Sequence, residues 1–105
     1  MASGMSGQNF AFTGYLPIDK QERIRAIKSL ENLIRKTGQT QIFMETPYRN
    51  NQLLDTLKIE CKNKTRLCIA TNITAPNEFI QTKTIEEWKY TKVNIHKQPT
   101  IFLLS

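Results

Sequence analysis

The chain is poor in the residues that most often build a reactive site. It holds a single histidine, His96, and two cysteines, Cys61 and Cys68. A structural zinc site needs about four clustered ligands, so neither a metal site nor a disulfide framework is expected. Cys68 lies inside an apolar run and reads as a small packed hydrophobe, and His96 reads as solvated surface in a polar stretch. With four glycines, neither common glycine-rich phosphate loop is present. No serine or cysteine nucleophile has a recognisable base partner. The expected catalytic residues are therefore none, and the expected metal ligands none. Long apolar runs are missing too. Nothing approaches the ~20 residues that span a bilayer, and the start lacks a signal-peptide core. The sequons at Asn63 and Asn72 then carry no meaning, and a cytoplasmic setting is expected, with no membrane partner.

Acidic residues are also in short supply: nine Asp and Glu face 15 Lys and Arg, a formal charge of +6. That excess suits a polyanion such as RNA, and equally suits a plain solvated basic surface. The 39% hydrophobic content over 105 residues is that of one ordinary globular domain.

The richest stretch is Thr40 to Asn50. Ile42-Phe43-Met44 reads as a short buried strand, and Thr46-Pro47 follows as an N-cap and first helical residue. Leu53, Leu54 and Leu57 continue the helical pattern, which should end near Cys61. Such strand-to-helix turns at the carboxyl ends of strands are where open α/β sheets bind ligands. Glu45 is the best single acid there, open between a site role and pairing with Arg49 or capping the helix. Arg49 is open between holding a ligand anion and standing as surface.

Around this turn the other elements fall in order. Residues 1–9 are small and polar and read as a linker-like start. Phe10 to Leu16 reads as a strand with a bend at Gly14. Asp19 and Glu22 form a capping box. Ile24, Ile27, Leu30, Leu33 and Ile34 then trace a helix to about Lys36, stopped at Gly38, with Arg23, Arg25, Lys28 and Arg35 on its basic face. Arg66 to Thr71 is a buried strand, 72–77 a loop and Glu78 to Thr82 a short strand. Thr84-Ile85-Glu86-Glu87 opens a short helix with Trp88, 89–98 is a loop, and Ile101 to Leu104 is a last strand. The predicted order is β-α-β-α-β-β-α-β: an α/β domain, 1–105, with helices packed on a mixed sheet of about five strands.

Two ordered motifs resemble a known family. Phe12-Thr13-Gly14-Tyr15-Leu16-Pro17 resembles the F-x-G-[FY]-L-P segment of the tetrapyrrole methylase superfamily. Phe43-Met44-Glu45-Thr46-Pro47-Tyr48-Arg49 resembles the F-[FY]-E-[ST]-P-[HY]-R strand end of its ribosomal RNA small subunit methyltransferase I branch. Ser3-Gly4 fits the lead-in and Arg23 the basic helix between the motifs. The resemblance implies a C-terminal domain that forms one wall of an S-adenosylmethionine cleft. It implies a separate N-terminal domain as partner, and inactivity of this portion alone. Cofactor contacts then fall on Met44, Glu45, Thr46 and Pro47, and on Thr71, Asn72 and Thr74 of the next strand end; substrate contacts fall on Tyr48 and Arg49. RNA is a possible acceptor, and a homodimer is expected separately, because the apolar surface that would meet the partner domain is left open. Where that branch has R-E-L-T-K, this chain has Thr71-Asn72-Ile73-Thr74-Ala75, without its charges, and the match near Gln81-Thr82-Lys83 is poor. The alternative from a different class is a non-catalytic dimerisation or interaction module that kept the fold.

Overall fold

A computed structural model describes residues 10–105. The linker-like start and its Ser3-Gly4 lie outside the described residues. The elements run β1 (Phe10–Tyr15), α1 (Lys20–Thr37), β2 (Thr40–Met44), a 3₁₀ turn (Pro47–Arg49), α2 (Asn50–Glu60), β3 (Arg66–Thr71), β4 (Phe79–Thr84), α3 (Ile85–Lys89) and β5 (Thr100–Leu104). The expected order is met, with five strands in one mixed sheet ordered β1-β2-β5-β3-β4. Among the described strands β1 and β2 pair in parallel, β5 runs antiparallel to both β2 and β3, and β4 antiparallel to β3. The right place for a ligand follows from this order. The carboxyl ends of β2 and β3 and the start of β5 meet at one rim, since Met44 pairs with Ile101 and Thr71 with Thr100.

Local chemistry explains the elements. Asp19 caps α1 by accepting the Glu22 N–H at 3.0 Å, and Gly38 ends it in the left-handed conformation at φ 68°. A complete capping box starts α3: Thr84 Oγ1 accepts the Glu87 N–H while Glu87 accepts the Thr84 N–H. The main core lies between the helices and one sheet face. Ile27, Leu30, Leu53, Leu57 and Trp88 meet Phe43, Leu67, Ile69, Phe102 and Leu104 there. Phe43 and Phe102 stack at 5.7 Å between centroids, and the Trp88 indole donates to the Leu67 carbonyl. Ile42, Cys68 and Leu103 form a second, smaller cluster. Strand alternation puts it on the opposite face, along with Phe10 and Phe12, which are largely exposed.

Three local expectations need correction. Thr46 does not cap a helix through its side chain, and Pro47 opens a 3₁₀ turn; α2 begins three residues later at Asn50. Leu33, expected in the core, is 41% exposed, whereas Arg23 and Glu31 are buried. Both polar side chains are buried because each has partners. Arg23 pairs with Glu45, and Glu31 accepts the Lys62 N–H and the Thr65 hydroxyl, tying α1 to the turn after α2.

Candidate functional site

A cleft of about 340 Å³ opens at the rim where β2, β3 and β5 converge, lined by Tyr15, Met44, Glu45, Pro47, Ala70, Ile73, Pro99, Thr100 and Ile101. Its walls are mainly apolar. β1 reaches it through a bulge: the register shifts between Phe12 and Gly14, so Tyr15 pairs with Met44 one residue later than simple counting gives. That extra residue restores Tyr15 to the side of the sheet that Phe12 occupies, an ordinary use of a bulge to re-aim a side chain. Gly14, at φ 82°, supplies the backbone conformation that a side chain resists.

Glu45 borders the cleft but is not free for chemistry. Its carboxylate meets the Arg23 guanidinium at 2.8 Å, with both side chains nearly wholly buried. Its other oxygen accepts the Thr46 N–H at 2.7 Å, and Arg23 Nε donates to the Pro17 carbonyl. The pair therefore fastens the β1–α1 junction to the turn after β2. The partner is Arg23, not Arg49. Arg49 donates instead to Thr46 Oγ1 at 3.3 Å.

Two asparagines anchor the loops beside the cleft. Asn50 is fully buried and its amide nitrogen faces the carbonyls of Ile95 and Gln98 and the Thr100 hydroxyl, at 3.0, 2.6 and 3.2 Å. Asn72 donates to the Gln98 side chain at 2.8 Å, and its N–H reaches the Pro99 carbonyl. Gln98 thus joins the 94–98 loop to the turn after β3. Neither Asn50 nor Gln98 stood out in the sequence; a polar residue within the first apolar turn of α2 was the available signal. Among the described residues, three other than glycine hold positive φ: Asn72, Thr74 and Lys97. All three lie in the two loops that border this rim. Left-handed backbone at a threonine is costly, and such strain gathers where a fixed loop shape is used.

Of the residues expected to hold a cofactor, Met44, Glu45 and Pro47 line the cleft. Thr46 sits in the same turn. Thr71 is fully buried and, one step along β3 from Ala70, points to the helix side, where its hydroxyl has no partner. Asn72 and Thr74 shape the loop whose Ile73 side chain reaches the cleft. Tyr48 and Arg49 stand just outside it. Tyr15, Ile101 and Pro99 are lining residues that sequence reasoning left out. Among the described residues no group of three or more His, Cys, Asp or Glu could hold a metal, and no helix is long and apolar enough to cross a membrane.

The chain is similar to the ribosomal RNA small subunit methyltransferase I of Halalkalibacterium halodurans, 31% identical over 87 residues. That alignment takes in 83% of this chain and 28% of the relative, so the chain spans little more than a quarter of the relative's length. Its fold is similar to that of the methyltransferase CobJ, with a TM-score of 0.59 at 18% identity, over 99% of this chain and 44% of that one. No family model matches. The fold is an α/β domain of the kind found in that methyltransferase structure. Both similarities agree with the resemblance of the two sequence motifs to the tetrapyrrole methylase superfamily.

Proposed function

We propose that the chain forms one wall of a methyl-donor site, taking the adenosine end of S-adenosylmethionine in the cleft at the β2, β3 and β5 rim. The observation that carries this reading is the cleft itself, because the turn that matches the superfamily's strand-end motif forms its edge. The residues present fit part of the donor. Tyr15, Met44, Ile101 and Pro99 offer apolar surface to a flat heterocycle, and the turn at Met44 to Pro47 brings backbone polar groups to its edge. Glu45 holds that turn in shape through Arg23. When bound, S-adenosylmethionine supplies an activated methyl group. A separate N-terminal domain would complete the pocket and hold the acceptor. Methyl transfer needs both parts oriented together, and this chain alone should be inactive. RNA is the acceptor class we favour.

A second reading, a non-catalytic module that pairs with a copy of itself, is favoured by one specific observation. Phe10 and Phe12 lie exposed on the sheet face away from the helices, at 47% and 63%. Transfer of labelled methyl from S-adenosylmethionine to ribosomal RNA, with the chain joined to a companion domain, separates the two. The first reading expects transfer that Met44→Glu abolishes. Absence of transfer together with a concentration-dependent dimer supports the second.

A further inference from the structure

Beside the cleft stands a cluster that the donor reading does not use. Tyr48, in the 3₁₀ turn, exposes 68% of its surface. The His96 ring meets it edge-on, 6.0 Å between centroids at 71°, and the Lys97 ammonium lies 5.9 Å from its centroid. Arg49 follows in the same turn, with one guanidinium nitrogen fixed on Thr46 Oγ1 and further donors in the same plane. The acid of this turn, Glu45, is directed inward to Arg23.

The cluster is assembled from two distant segments and held firmly. The Lys97 N–H donates to the Pro47 carbonyl at 2.9 Å, with Lys97 itself at φ 62°. Asn51 accepts the Ile95 N–H and donates to Asn94, while Asn50 grips the Ile95 and Gln98 carbonyls. These bonds are made within the chain, so the platform stands ready before any partner arrives. An exposed ring with a lysine ammonium over one face and an arginine in the same turn is an arrangement that can stack an unpaired base and meet the phosphate beside it. The excess of 15 basic over nine acidic residues favours the same partner.

We propose that Tyr48, with His96, Lys97 and Arg49 around it, is a stacking platform for one unpaired base of a single-stranded RNA and its adjoining phosphate. This deepens the RNA reading of the acceptor and rests on that reading. It does not depend on donor binding in the cleft, so the test uses no S-adenosylmethionine and its result is separable from that of the methyl-transfer assay.

The test is binding of a short single-stranded adenylate oligomer to the 105-residue chain, with inorganic polyphosphate as a base-free competitor. Tyr48→Ala should weaken binding about 5- to 150-fold, the usual range for losing one stacked base, and Tyr48→Phe should retain it. Lys97→Ala should lower the slope of log affinity against log salt by about 0.7, one phosphate contact on a single strand. Tyr48→Trp adds an exposed indole whose emission a stacked base quenches, while the buried Trp88 reports that the fold is intact. Failure to bind, equal binding by Tyr48→Ala, or competition by polyphosphate as strong as by RNA would each overturn the proposal.

Discussion

Arg23 and Glu45 form the most consequential pair in the domain. Removing one partner strands a charge in a site with almost no water. Arg23→Ala is therefore expected to cost about 3–5 kcal/mol of stability, seen as a lower midpoint in urea. A loss below about 1 kcal/mol would mean the pair is solvated. Asn50 offers a sharper comparison. Its amide faces three oxygen acceptors, so Asn50→Asp puts a carboxylate among them and should destabilise more than Asn50→Ala, despite the closer shape. Urea unfolding of the two variants decides it. At Cys61, burial first and then the nearby charges of Glu31 and Glu60 push the thiol up to about 12. It should resist alkylation near pH 8 in the folded protein and react once unfolded; rapid labelling of the native chain would contradict that placement.

Among the elements, α3 is only five residues long and depends on its cap. Thr84→Ala should cost about 1 kcal/mol, measured by thermal or urea unfolding. Its partner Glu87 titrates low, because its carboxylate accepts the Thr84 N–H first and the Thr84 hydroxyl second. A carboxyl with a depressed folded value stabilises above its unfolded value, near 4.5, and loses that contribution as pH falls through the lower folded value. The acid dependence of stability should therefore shrink in Thr84→Ala. The elements themselves were largely legible, because capping residues, glycine at a helix end and short apolar runs are local signals. What stayed hidden was long-range. Strand alternation hides nothing until a bulge intervenes, and the bulge that turns Tyr15 into the cleft depends on pairing with β2. Arg23 lay on the α1 face expected to be solvated, because its partner is 22 positions away. Likewise Asn50 and Gln98 acquire meaning only when the 94–98 loop folds back over α2.

For the whole molecule, the cleft at the rim carries the functional reading. Half the turn was legible through Phe43 to Arg49. The 94–98 loop, which bonds to the turn after β3 beside the cleft, carries no motif. If the chain is one wall of a donor site, its own affinity for S-adenosylmethionine should be weak, since roughly half the contacts would come from another domain. The most direct measurement is titration of the nitrogen-15-labelled chain with S-adenosylhomocysteine, followed through its amide resonances. The account predicts small, fast-exchange shifts confined to Tyr15, Met44 to Pro47, Ile73 and Thr100 to Ile101, lost in Met44→Glu. Shifts gathered on another face, or tight binding in which those amides do not move, would contradict it.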